Sequence, residues 1–294
     1  METGGCWLGE SKAVYWNNKK IRLGGDGMIR IFYVDIGCNC EEEKIRGFYE
    51  MLPKERRGQV DRLNNRELAK KKILAGIFMQ YGLSRTLEIP MRDIGYIYGE
   101  QGKPYLKLLN QSDGQNRQAV DFNLSHSGRY AVLAVSDGAV GIDVEQVKKN
   151  RLSVAKRCFH EREYEDIMRM PDEDSRNRRF LEYWTMKEAY VKYCGEGLKI
   201  PLNSFLIERM DNGLSCVKKE SRKGQEAFFA TFQMEDPSYF VSVCSSHLSE
   251  LKGVGSEWNQ EDDQMKDTNI GDNKINEFEI NKITLEEIWL QSLL

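Results

Sequence analysis

Apolar residues alternate with polar ones in "MIRIFYVDI" from Met28, which predicts a strand. The period then changes. In "LPKERRGQVDRLNNRELAKKKILAGIFMQYGL" Leu63, Leu68, Ile73, Leu74, Ile77 and Phe78 recur near 3.6 residues, with basic residues opposite, which predicts helix. "IGYIYGEQGKPYL" reads as a strand, a Gly-marked turn and a Pro-interrupted edge, and "FNLSHSGRYAVLAVSDGAVGIDVE" as a loop, a strand, an Asp137-Gly138 hairpin and a second strand. The same order recurs further on. "RLSVAKRCFHEREYEDIM" and "RRFLEYWTMKEAYVKYCGEGL" predict two helices, the second closed by Gly195 and Gly197. "PLNSFLIERM", "GLSCVKKE", "AFFATFQM" and "YFVSVCSS" then alternate as four short strands suited to an antiparallel sheet.

Two sets of strands and helices predict an α+β protein of two similar halves, 28–140 and 141–251, although no residue-level repeat links them. Residues 1–27 have no periodicity and are expected to be a disordered extension, with Met28 as a plausible true start. A polar linker is expected over 252–276. A C-terminal helix is expected over 277–294, where "ITLEEIWLQSLL" (283–294) places a Thr284/Glu287 capping box ahead of an apolar face expected to dock on its own domain.

Composition changes the picture only by exclusion. A net charge of −3 gives no global attraction to nucleic acid or to an anionic membrane, so neither is expected as a partner. No apolar run approaches the roughly 20 residues that span a bilayer, and no secretory pattern opens the chain, so a cytoplasmic location is expected. The seven cysteines are odd in number and scattered, as reduced thiols would be. Cys38 and Cys40 have no second Cys/His pair at zinc spacing.

One stretch asks for an explanation. In "AVGIDVEQV" Asp143 and Glu145 lie two apart on a predicted strand and so share a face. Like charges side by side repel, so the face is either solvated or holds a cation. Glu188, on the helix "WTMKEAYVK", would add a third carboxylate. Three carboxylates with no His or Cys nearby form a hard, oxygen-only set that suits Mg²⁺ rather than zinc. On that helix Trp184, Lys187, Glu188, Val191 and Lys192 fall near one side; Trp184 and Val191 read as core, while Lys187, Glu188 and Lys192 are expected to edge a cleft. A simple i,i+4 pair of Glu188 with Lys192 is the alternative. "NLSHSG" reads either as a phosphate-binding loop using backbone N–H groups, Ser125 and His126, or as a turn with a structural histidine.

The ordered set "GKPYL" (102–106), "FNLSHSG" (122–128), "GIDVE" (141–145) and "WTMKEAYVK" (184–192) strongly resembles the 4'-phosphopantetheinyl transferases of the larger, pseudo-duplicated Sfp type. The resemblance covers about residues 28–250. It implies an active site in the cleft between the two halves of a monomer. It implies Mg²⁺ held by Asp143, Glu145 and Glu188, coenzyme A as donor, and the serine of an apo acyl- or peptidyl-carrier protein as acceptor. Glu188 would also help deprotonate that serine, and Lys192 would contact the leaving phosphate. Ser125, His126, Lys103, Pro104 and Lys187 carry over as coenzyme A contacts, and Arg56, Lys71 and Lys72 as further phosphate contacts. Val147 stands where many relatives carry a polar residue. The basic run Lys148, Lys149, Arg151, Lys156 and Arg157 is either a seat for an acidic carrier protein or a solvated helix face. Two other functions use the same residues: a Mg²⁺-dependent phosphohydrolase acting on coenzyme A-like pyrophosphates, and a non-catalytic carrier-binding module.

Overall fold

The computed structural model describes residues 29–109, 120–148, 152–210, 214–218, 227–246 and 279–292, with two short strands near the start, β1 (Val14–Trp16) and β2 (Lys19–Ile21), paired antiparallel. Apart from that pair, the expected extension over 1–27 lies outside the described residues, as does the expected linker over 252–276.

The first half runs β3 (Arg30–Asp35), α1 (Glu42–Met51), α2 (Lys54–Val60), α3 (Arg66–Leu87), β4 (Ile94–Tyr98), β5 (Pro104–Leu108), β6 (Asp121–Ser127) and β7 (Tyr130–Ser136). The second runs β8 (Val140–Gln146), α4 (Leu152–Cys158), α5 (Glu161–Met168), α6 (Glu173–Cys194), β9 (Leu206–Arg209), β10 (Ser215–Lys218), β11 (Phe228–Gln233) and β12 (Tyr239–Ser245), followed by β13 (Glu279–Ile283) and α7 (Leu285–Ser292). The basic helical stretch is thus two helices rather than one. It breaks because Asn65 adopts an extended conformation and its side chain accepts the Leu68 N–H, capping α3.

Strands order as β13-β3-β7-β6 in one sheet and β8-β12-β11-β10-β9 in the other, with β4-β5 a separate hairpin. Among the described residues every strand pairing is antiparallel except β13 with β3, which is parallel. Alternation along the strands sets the layers. Ile31 and Tyr33 of β3, Val132 and Ala134 of β7, Ile142 and Val144 of β8, and Val241 and Val243 of β12 bury one apolar core between the sheets. The opposite faces pack on helices: Phe32, Leu133 and Phe122 on α1 and α3, and Phe229, Phe240 and Cys244 on α4 to α6. The order is helices, sheet, sheet, helices. The tail folds back onto the first half, with Trp289 of α7 edge-on to Phe48 of α1 at 5.4 Å between ring centres.

Two features bring α6 down on β8. Gly141 passes so close to the helix that a Cβ there would lie 1.9 Å from the Ala189 carbonyl oxygen, so the "GIDVE" glycine is required by the approach. The odd-numbered residues of β8 share that face, which turns Asp143 and Glu145 toward α6.

Candidate active site

The site sits where β6 of the first half meets the free edge of β8 in the second. Alternate side chains of β6 bridge to β8: Asp121 accepts the Val140 N–H (3.0 Å), Asn123 the Ile142 N–H (3.4 Å) and Ser127 the Gln146 N–H (3.3 Å). Two hydroxyls of the same row donate to the acidic pair. Ser125 Oγ reaches Asp143 Oδ1 at 2.7 Å, and Ser127 Oγ reaches Glu145 Oε2 at 2.8 Å. This side-chain seam satisfies an edge that would otherwise be unpaired, and it holds the halves in one register.

Asp143 is only 5% exposed. Burial pushes its carboxyl above the usual range. The Lys192 ammonium, with Nζ 2.6 Å from Oδ1, and the Ser125 hydroxyl pull it back, while the Glu145 charge pushes it up again. Its other oxygen, Oδ2, is buried with no hydrogen-bond partner among the described residues. Glu188 is half-buried on α6; burial, then the charge of Asp143, raises its carboxyl, with Lys192 opposing and Glu145 adding. Burial raises the carboxyls of Asp143 and Glu188, the neighbouring acids add to the rise, and Lys192 opposes it in both. Among the described residues no three such groups close on a single point as a formed metal site, and Lys192 is paired with Asp143. The oxygen-only set and the orphaned Asp143 Oδ2 fit a hard divalent cation that would displace Lys192.

Beside the acids lies a cationic group. The His126 imidazole is exposed yet loses part of its hydration; that loss, then the charges of Lys192, Lys71, Lys72 and Arg56, holds it below its ordinary value. Lys71 reaches the Gly128 carbonyl at 2.8 Å, and Arg56 lies over the Tyr96 ring with its Nε buried and without a hydrogen-bond partner among the described residues. Burial, then Arg56, lowers the Lys72 ammonium. Arg56, Lys71 and Lys72 make no ion pair with a carboxylate among the described residues. Clustered cations without counter-charge suit a phosphate.

Three expected contacts stand elsewhere. Lys187 does not edge the cleft: it is 0% exposed, pairs with Glu163 at 2.9 Å and donates to the Leu202 and Phe205 carbonyls. Lys103 spends its ammonium on Asp121 at 2.9 Å, both side chains mostly buried, with Pro104 following as the first residue of β5. Ser125 is 7% exposed and serves Asp143 rather than open solvent. Lys148, Lys156 and Arg157 are exposed; Lys149 and Arg151 lie outside the described residues. The reading from sequence missed Ser127, Asn123 and Asp121, whose only signal is polar residues at every second position of a buried strand, and Glu163, which carries the "HEREYED" capping box.

Residues 139–244 match the model of the 4'-phosphopantetheinyl transferase superfamily, and residues 39–138 match that of a 4'-phosphopantetheinyl transferase N-terminal domain. The chain is 30% identical to a 4'-phosphopantetheinyl transferase of Bacillus subtilis over 208 residues, 70% of this chain and 88% of that protein. It belongs to the 4'-phosphopantetheinyl transferase superfamily. Among relatives, 4'-phosphopantetheinyl transferase Sfp of Bacillus subtilis (strain 168) is 28% identical over 74% of this chain and 93% of its own length. The L-aminoadipate-semialdehyde dehydrogenase-phosphopantetheinyl transferase of Xenopus laevis is 29% identical over 53% of this chain and 51% of its own. The two matched models meet between residues 138 and 139, in the turn just before β8, the strand that carries the acidic pair, so this transferase has its seam between β6 and β8 at the junction of its two family units. No helix among the described residues is long and apolar enough to cross a membrane.

Proposed function

We propose that this transferase moves the 4'-phosphopantetheine group of coenzyme A onto a serine hydroxyl of an apo acyl- or peptidyl-carrier protein. The observation that carries the reading is the juxtaposition of an acid cluster holding an orphaned carboxylate oxygen with a group of cations that lack counter-charge. A nucleotide-linked pyrophosphate needs both: cations for its phosphate oxygens, and a metal site next to them.

Asp143, Glu145 and Glu188 would hold Mg²⁺, which when bound neutralises pyrophosphate charge. His126, Lys71, Lys72 and Arg56 bind the phosphate at the nucleotide end. The carrier serine attacks the phosphorus nearest pantetheine: the Ser O–P bond forms, the P–O bond to the nucleotide phosphate breaks, and adenosine 3',5'-bisphosphate leaves. Glu188 takes the serine proton; burial beside other carboxylates makes it a stronger base than an ordinary glutamate. Lys192, released from Asp143, stands one helical turn from Glu188 to meet the charge on the departing phosphate. Exposed Lys148, Lys156 and Arg157 would seat an acidic carrier.

Chromatography of adenosine 3',5'-bisphosphate, with and without apo carrier, tests this. Release that requires carrier supports the transferase reading. Equal release without carrier overturns it in favour of a hydrolase.

A further inference from the structure

We propose that Ser127 is a positioning residue that presents Glu145 for cation binding; the proposal rests on the reading of Asp143, Glu145 and Glu188 as the cation site. Ser127 is 8% exposed at the end of β6 and belongs to the first half, while Glu145 belongs to the second. A serine hydroxyl has one proton to give. Here the Gln146 N–H occupies an acceptor site on Oγ at 3.3 Å, so the proton is directed at Glu145 Oε2, 2.8 Å away. That contact holds one oxygen of Glu145 and leaves the other for a ligand.

The support is rigid on both sides. Ser127 pairs with Tyr130 across a tight β6–β7 turn. Gly128 has φ of +56°, and a Cβ there would meet the Tyr239 hydroxyl at 2.2 Å, so the turn accepts only glycine. The Gly128 carbonyl is held by Lys71 at 2.8 Å, and the Arg129 N–H donates to the Tyr239 hydroxyl at 3.2 Å. Tyr239 lies on β12 in the second half, directly across from Gln146 of β8. The hydroxyl is thus placed by contacts from both halves, and the geometry of Glu145 depends on their docking.

Groups that orient a metal ligand from behind typically change metal affinity 10–100-fold when removed. Asn123 supplies the internal comparison: it lies on the same seam and accepts the Ile142 N–H, with no hydrogen bond to a carboxylate among the described residues. A role confined to joining the halves would make both residues matter alike.

The experiment is Mn²⁺ binding to the full chain, read by the electron paramagnetic resonance of free Mn²⁺, together with thermal melts. For S127A we expect binding weakened about tenfold or more, and for N123A a lowered melting temperature with affinity within twofold of the native protein. Native-like Mn²⁺ affinity in S127A, or equal weakening in N123A, overturns the proposal. If S127A does not fold, S127C decides in its place, since a thiol is a weak donor of similar shape: weakening supports the role and native affinity refutes it. A native protein that binds no Mn²⁺ contradicts the cation site itself, and with it this inference.

Discussion

Replacing Lys187 by methionine separates a structural lysine from a substrate-binding one. Its ammonium is fully buried, 2.9 Å from Glu163 Oε2, 2.6 Å from the Leu202 carbonyl and 2.9 Å from the Phe205 carbonyl, and lies 4.1 Å from the centre of the Phe205 ring. Burial, partly offset by the Glu163 charge, pushes its pKa down to about 8. Glu163 is raised by burial, countered first by Lys187 and then by the Ile207 N–H. Removing one member of a buried pair leaves the other uncompensated, at about 3–5 kcal/mol. For a protein of this size each kcal/mol lowers the melting temperature by about 2–4 °C, so K187M should melt about 6–20 °C lower. The double variant K187M/E163Q should recover part of that loss, because the glutamine carries no stranded charge and keeps one oxygen for the Ile207 N–H, although its amide nitrogen cannot accept from the His160 N–H as the second carboxylate oxygen does. Scanning calorimetry of the native protein, K187M, E163Q and the double variant, with coenzyme A titrations on those that fold, reads both quantities. A K187M protein that melts within 1 °C of the native one yet binds coenzyme A tenfold more weakly would refute the argument and return the ammonium to the cleft.

G141A forces a methyl group to within 1.9 Å of the Ala189 carbonyl, so α6 must lift from β8. We expect a loss beyond the usual 1–3 kcal/mol of overpacking, read as a fall in melting temperature together with lost activity. Activity should decline with falling pH as Glu188 is protonated, because the protonated form cannot accept a proton; burial and Asp143 raise that carboxyl in the metal-free protein, and a bound cation would pull it back down. A pH–rate profile with no such limb down to pH 4 would exclude Glu188 as the base. K156E/R157E reverses two exposed charges on α4 and should raise the KM for carrier about tenfold or more while leaving that for coenzyme A unchanged. Equal change in both would refute a carrier seat.

How far the site can be read from the chain depends on which contacts are local. Asp143 and Glu145 are visible as a pair because a strand repeats every two residues, and Glu188 because the helical text around it is distinctive. Lys187 is one residue from Glu188, about 100° round the helix, and periodicity alone does not say which side of Glu188 is buried. Its true partner, Glu163, lies on α5 and reaches it only in the folded core. The β6–β8 seam was hidden for a related reason. In the sequence "FNLSHSG" reads as a polar loop, whereas residues 121–127 form strand β6, and the meeting of the halves sets Asp121, Asn123, Ser125 and Ser127 against a buried edge. β13 was read as part of a helical tail because its partner, β3, lies at the other end of the chain and no local pattern announces a parallel pairing.

The central claim is that this acid and cation constellation transfers phosphopantetheine. Intact-protein mass spectrometry tests it most directly: an apo acyl-carrier and an apo peptidyl-carrier domain, each incubated with this protein, coenzyme A and Mg²⁺, alongside D143A and EDTA controls. The account predicts a gain of one phosphopantetheine group on at least one carrier, abolished in both controls. No gain on either carrier from protein that binds coenzyme A, or a gain that survives in D143A and in EDTA, would contradict it.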